Sequence, residues 1–384
     1  MNSMPETSLV KSNLLGMDRT RLVAFFQSLE EPAFRAQQLL KWIHTLGILD
    51  FAQMTNLSKA LREKLTATAQ LTTLQINSHQ VSKDGTQKWL FDLPDKGAIE
   101  TVWIPEANRA TLCISSQAGC ALNCRFCHTG YQGFQRHLSA SEIIAQVWIV
   151  YHSLKQQGIE TRDGRPITNI VFMGMGEPLL NLSEVLPAIK ILRDDLAYGF
   201  SKWRVTVSTS GVVPGIKTLV AETDVALALS LHAPTDELRT TIIPLNKKYP
   251  IAQVLAACQT YTQLDKRRKV TIEYVMLRGI NDQPHHAKEL VKVLAGLPNK
   301  VNLIPFNPFP QAPYQCSEPL VIAQFQEILV KAGLLTTVRR TRGQDIEAAC
   351  GQLAGEISDK TQRSAKWQQT IRTIQPAPEQ ITQL

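Results

Sequence analysis

Between Gly119 and Gly130 the chain reads GCALNCRFCHTG, with Cys120, Cys124 and Cys127 spaced C-x3-C-x2-C. The chain has seven cysteines in all, so nearly half fall in this one short loop. A structural zinc site asks for four closed ligands, usually as two short pairs set apart. Three thiolates at this spacing can instead hold an iron–sulfur cube and leave one iron without a protein ligand. An open iron is a place where chemistry can happen. Zinc with His128 as fourth ligand is the competing reading, but adjacent Cys127 and His128 meet one tetrahedral ion awkwardly.

Further polar residues stand in short motifs downstream. MGMGEP groups Gly174, Gly176 and Glu177. Glycines there let the backbone approach a ligand closely, and the glutamate can receive an ammonium. The stretch is not G-x-G-x-x-G, so a dinucleotide fingerprint is unsupported. VSTSG carries Ser208, SLHA carries Ser230, Leu231 and His232, and PFNPF carries Asn307. A lone serine or asparagine at a strand end is usually a turn residue. These gain meaning by falling in order within one fold.

What fold would bring them together? At 384 residues, with 44% hydrophobic and 19% charged side chains, the chain can build one large domain with accessory parts. The N-terminus lacks a signal layout, and no apolar run reaches membrane-spanning length. Clustered cysteines fit a reducing compartment, so a cytoplasmic protein is expected. From Asp18 to about Thr66 apolar residues recur at helical spacing, broken at Pro32. Alternating strands follow, with turn signals at Asp84-Gly85 and Lys96-Gly97.

From Thr111 short β-branched runs such as TLCIS, NIVFMGM, WRVTVSTSG and VTIEYVML alternate with helical stretches, about six units in a row. Repeated strand–helix units mean a parallel sheet. The expected fold class is α/β: a partial (β/α)6 TIM-like barrel with an N-terminal helical accessory domain and β-hairpins. In such barrels chemistry sits at the C-terminal ends of strands, and the cysteine loop and the polar motifs all follow strands. The expected boundaries are 1–75 for the helical domain, 76–110 for a β-hairpin connection, 111–345 for the barrel and 346–384 for a C-terminal active-site loop and tail.

With Phe126 before its last cysteine, the loop resembles the signature of the radical S-adenosylmethionine (SAM) superfamily. More widely, SSQAGCALNCRFC, QGFQRHL, MGMGEPLLN and RGQDIEAACGQL resemble the RlmN family, with the Cfr resistance enzymes nearby. The resemblance covers nearly the whole chain. It implies a radical SAM barrel that methylates carbon 2 of adenine in 23S ribosomal RNA and in transfer RNA. It implies one 4Fe–4S cluster on Cys120, Cys124 and Cys127, and SAM used twice per turnover. SAM contacts are implied at Gly176, Glu177, Ser208, Ser230, Leu231, His232 and Asn307. The implied methyl-carrying cysteine is Cys350, the resolving cysteine Cys113, and the acid/base glutamate Glu100. His128 stands where the family more often has a small residue, and it reads as a loop residue outside the ligand set.

Carbon 2 of adenine is electron-poor and will not attack the methyl of SAM, which is why a radical route through the cofactors is needed. By resemblance, one SAM methylates Cys350. A second is cleaved at the cluster to a radical that takes a hydrogen from the S-methyl group, and the methylene radical adds to the base. A second thiol attacking the Cys350 sulfur would release the product and leave a disulfide. Glu100 and Cys113 both stand as candidates for removing the carbon 2 proton. Cys258 reads as core, and Cys316 has no assignment.

The net charge of +8 suits RNA as partner. Runs at Lys266 to Lys269, at Arg339, Arg340 and Arg342, and in DKTQRSAKW with Trp367 offer phosphate contacts. An electron donor such as flavodoxin and a monomeric state complete the expectation. Two readings compete: the same chemistry at adenine carbon 8, as in Cfr, and a non-catalytic zinc-stabilised RNA-binding protein.

Overall fold

The computed structural model describes residues 11–310 and 312–360. The chain opens with β1 (Ser12–Asn13), then α1 (Arg19–Ser28), α2 (Phe34–Leu40) and α3 (Lys59–Thr68), and β2 (Ala69–Gln70) returns to pair in parallel with β1. Asp18 and Ser58 cap α1 and α3 by accepting from the N–H groups of Arg21 and Leu61, which have no partner inside the helix. The unit docks on the outer helices of the barrel. Arg19 bridges Asp194 at 2.6 Å, and the Trp148 indole donates to the Ile43 carbonyl at 2.8 Å.

Next come β3 (Gln75–Val81), β4 (Gln87–Asp92), β5 (Ala98–Pro105) and β6 (Ala110–Cys113), an antiparallel meander. Its first two turns use Gly85 and Gly97 at φ +84° and +90°. The sequence reads these strands as a connection, but they are continuous with the barrel sheet, because β5 pairs along β6.

A small hairpin of β7 (Gln117–Gly119) and β8 (Phe134–His137) encloses the cysteine loop and the short α4 (His128–Gln132). The strand–helix series follows: α5 (Ala140–Gln156), β9 (Asn169–Phe172), α6 (Leu182–Arg193), β10 (Val205–Thr209), α7 (Val213–Glu222) and β11 (Ala226–Ser230). It continues through α8 (Asp236–Ile242), α9 (Ile251–Gln263), β12 (Val270–Met276), α10 (Pro284–Val293), β13 (Asn299–Pro305), α11 (Pro319–Lys331) and β14 (Thr336–Val338).

Strand β6 and strands β9 to β14 pair in parallel in sequence order, giving the α/β barrel-like sheet the rhythm predicts. Six of its helices are those read from the sequence; α4, α8 and the β7–β8 hairpin are too short to show a period. Val205, Val207, Leu227, Leu229, Ile272, Val301 and Leu303 are fully buried, as parallel strands covered by helices require. Among the described residues no helix is long and apolar enough to cross a membrane. Trp367 and the tail beyond Gln369 lie outside the described residues.

Candidate active site

The cysteine loop is held from several sides. The Cys120 N–H donates to the Gly133 carbonyl at 2.6 Å, and the Arg125 N–H donates to Ile242 at 3.0 Å. Gly130 lies where a Cβ would stand 2.9 Å from the Cys124 carbonyl oxygen, so only glycine lets α4 fold back on the loop. The three thiols line one cavity of about 140 Å³ with Gly174, Gly176, Glu177, Ser208, Ser210, Ser230, His232 and Asn307. Burial holds all three as neutral thiols, with Cys124 pushed up to about 12, and each neighbouring thiolate adds to the cost of the next.

Three mutually repelling buried thiols need a cationic group to become thiolates, and an iron–sulfur cluster supplies that charge. Among the described residues no three His, Cys, Asp or Glu side chains converge as a single metal ion would require. A cube takes one thiolate on each of three irons, so three thiols around one cavity fit it. His128 is turned aside: its ring stacks on Phe309 at 4.9 Å, and its backbone N–H donates to the Gly351 carbonyl at 2.7 Å.

Glu177 is buried, and burial raises its carboxyl to about 7. The Leu179 and Ser210 N–H groups donate to its two oxygens at 3.1 and 2.8 Å. An ammonium brought beside it would favour the carboxylate. His232 sits two residues past β11 at φ +59°, a costly conformation for a side-chain-bearing residue. The Val275 N–H donates to its Nδ1 at 3.0 Å, so the neutral ring carries its hydrogen on Nε2. Burial and the nearby Arg239 push it down to about 3, so it stays uncharged.

Ser208 lies within β10 rather than after it as the sequence reading has it; the residue past the strand is Ser210. Leu231 is fully buried and packs in the core, away from the cavity lining. Its carbonyl instead accepts from Arg239 Nε at 3.0 Å. Arg239, on the unanticipated α8, also donates to the Ser210 and Ser230 carbonyls at 2.7 and 3.1 Å. This arginine fixes the ends of β10 and β11 against each other. A composition of charged letters in DELRTTI gives no sign of it.

A second cavity of about 830 Å³ fills the barrel below the first. The two share Met173, Glu273, Ile304, Pro305, Asn307, Arg339 and Cys350 in their walls. Cys350 is therefore the thiol common to both, and Cys113, the last residue of β6, opens on the lower one. Burial and the Cys350 sulfur push the Cys113 thiol up to about 12. Arg339 Nη1 donates to Cys350 Sγ at 3.5 Å, and Asn307 Nδ2 donates to the Cys350 carbonyl at 3.1 Å. Arg339 is thus turned toward the Cys350 sulfur. Arg268 is buried, with its guanidinium over the Tyr261 ring at 4.9 Å, and does not face solvent as a phosphate contact would.

Glu100 lines neither cavity. Its carboxylate takes Lys88 Nζ at 2.9 Å and the Ala354 N–H at 2.7 Å, which ties the Cys350 loop to β5. That loop is also held by Thr129 Oγ1 donating to the Leu353 carbonyl at 2.7 Å.

Comparison with known proteins agrees with this geometry. Residues 12–71 match the ribosomal RNA large subunit methyltransferase N-terminal domain, and residues 114–291 match the radical SAM superfamily. The chain is 53% identical over 358 residues to the dual-specificity RNA methyltransferase RlmN of Marinobacter nauticus, covering 93% of this chain and 96% of the relative. The chain belongs to the RlmN family. The RlmN protein of Alcanivorax borkumensis is 51% identical over 368 residues, covering 95% of this chain and 96% of that protein. Among solved structures, a radical SAM methyltransferase from Sphaerobacter thermophilus superposes with a TM-score of 0.82 at 41% identity, over 89% of this chain and 99% of that one. RlmN-family enzymes are radical SAM RNA methyltransferases that use a 4Fe–4S cluster and SAM, and the upper cavity has the thiols and polar groups for both.

Proposed function

We propose that this chain methylates carbon 2 of an adenine in 23S ribosomal RNA and in transfer RNA, with Cys350 carrying the carbon that is transferred. What supports the reading best is the shared wall: Cys350 faces the cavity of the three loop thiols on one side and a larger one holding Cys113 on the other. When bound, the cluster and SAM supply the methyl group and the hydrogen-abstracting radical. Cys120, Cys124 and Cys127 would hold the cluster, Glu177 would receive the SAM ammonium, and His232 and Ser230 would border its site, since all of them line the upper cavity.

Arg339 stabilises Cys350 as the thiolate that accepts a methyl. After the carbon has joined the base, and the adduct has given up the carbon 2 proton and its unpaired electron, the Cys113 thiolate attacks the Cys350 sulfur. The sulfur–sulfur bond forms as the sulfur–carbon bond breaks, and the freed carbon takes a proton. A dithiol reductant reopens the disulfide for the next turnover. We place the enzyme in the cytoplasm as a monomer, reduced by an electron carrier such as flavodoxin.

The experiment is intact-mass and nucleoside mass spectrometry on protein purified with SAM. One extra methyl is expected on the peptide bearing Cys350 and none on Cys350→Ser, and 2-methyladenosine is expected in treated RNA. Finding 8-methyladenosine would move the chemistry to carbon 8. A methyl on Cys258 or Cys316 would overturn the carrier.

A further inference from the structure

The lower cavity is open at the end away from the cofactors. It runs from Cys113 and Cys350 down to the first residues of the parallel strands, among them Asn169, Ala226 and Thr271. At about 830 Å³ it is within the size range of pockets that bury whole ligands. The other approach to Cys350 is covered: the segment after it is bonded to the cysteine loop through His128 to Gly351 at 2.7 Å and Thr129 to Leu353 at 2.7 Å.

The rim of this open end is basic. Lys269 and Lys300, beside the starts of β12 and β13, are exposed there and form no salt bridge among the described residues. The two acids of the lining are occupied or withdrawn: Glu106 pairs with Arg109, and Glu273 is buried against Asn302 at 2.7 Å. Beside the cations stands Trp203, 42% exposed, an unusual position for so large an apolar ring.

A basic rim, a stacking ring and a deep cavity ending at two thiols are the parts a single nucleic-acid strand needs when one base must be drawn inside. We propose that RNA enters at the N-terminal end of the barrel, with phosphates on Lys269 and Lys300. A base next to the target stacks on Trp203, and the target adenine passes up the cavity to Cys350. The route rests on the reading of this chain as an RNA methyltransferase. It also separates the two supplies: cofactors occupy the C-terminal end, and substrate comes from the opposite end.

The test uses the holoenzyme with unmodified 23S ribosomal RNA, in filter binding at several salt concentrations. Lys269→Glu with Lys300→Glu should weaken binding at least tenfold and lower the log–log salt slope by about one to two. Trp203→Ala should weaken binding about tenfold. The methyl on Cys350, read by intact mass, reports that each variant still folds and handles SAM. Lys247→Glu with Lys248→Glu reverses two exposed charges past the C-terminal end of β11 and should leave binding within twofold.

Unchanged affinity and salt slope in the Lys269/Lys300 variant, while wild type binds and methylates, would overturn the route alone. Loss of binding only in the Lys247/Lys248 variant would place RNA at the cofactor end and overturn it too. A wild-type holoenzyme that binds no RNA would sink the functional reading along with the route.

Discussion

Arg339 donates an Nη1 hydrogen to the Cys350 sulfur at 3.5 Å, and the same guanidinium lies in the field of Cys113. One fixed cation therefore faces both sulfurs of the proposed cycle. It lowers the cost of a thiolate at Cys350 when a methyl is accepted, and at Cys113 when the product is released.

Arg339→Met should slow methyl loading on Cys350 about tenfold or more near neutral pH, since a hydrogen bond to a charged group contributes about 1.5–3 kcal/mol. Arg339→Lys, which keeps a positive charge beside the sulfur, should recover part of the rate. Intact-mass time courses measure this. Equal loading rates would leave Arg339 with a packing role only.

Cys113→Ala should still load Cys350 and attack RNA, then stall. Addition needs only Cys350 and the cofactors, whereas release needs the second sulfur. A slow-migrating protein–RNA species on denaturing gels is the expected sign. Free methylated RNA at the wild-type rate would remove Cys113 from the release step.

The strand–helix alternation made the barrel legible because buried parallel strands are written as β-branched runs and their helices show a clear period. The cysteine loop was legible because thiol spacing is itself the signal. Arg239 and Arg339 were not. In DELRTTI and VRRTRG the letters give charge but not direction, and only tertiary packing turns Arg239 onto the strand ends and Arg339 toward sulfur. Ser208 was misplaced for a related reason: strand ends shift by a residue or two, and in VSTSG that hands the end position to Ser210.

Glu100 and Lys88 form a buried ion pair at 2.9 Å that also anchors Ala354. Glu100→Gln alone should lower stability by about 3 kcal/mol, because it leaves the lysine charge buried without its partner. Adding Lys88→Met should recover most of that loss. Urea unfolding of the two singles and the double measures it. If the double variant is as unstable as the sum of the singles, the pair is not coupled as drawn.

Cys124→Ala should abolish the cluster and all SAM cleavage. Cys258 and Cys316 stand in α9 and in the loop before α11 and do not line the cavity, and Cys350, which does, lies outside the cysteine loop with its sulfur held by Arg339, so no spare thiol stands at the vacated position. Visible absorbance and iron content of anaerobically purified protein give the answer directly. Full iron and full SAM cleavage in this variant would refute the ligand assignment.

His44 gives the N-terminal unit a pH limit. It is 1% exposed, its Nδ1 lies 3.4 Å from the Tyr198 hydroxyl, and its Nε2 has no hydrogen-bond partner. Burial, with His152 nearby, pushes it from 6.5 down to about 3, so the folded ring is neutral. As pH falls below 6.5 the unfolded chain takes up the proton first. The contribution of His44 is therefore fully present above pH 6.5 and is lost as pH falls toward 3, at about 1.4 kcal/mol per unit. Its neighbour His152, pushed by burial to about 4, loses stability in the same direction. Wild-type protein should thus unfold at lower urea concentration at pH 5.5 than at pH 7.5, and His44→Gln should show a smaller drop between the two. The same drop in both proteins would mean that His44 is already solvated in the folded state.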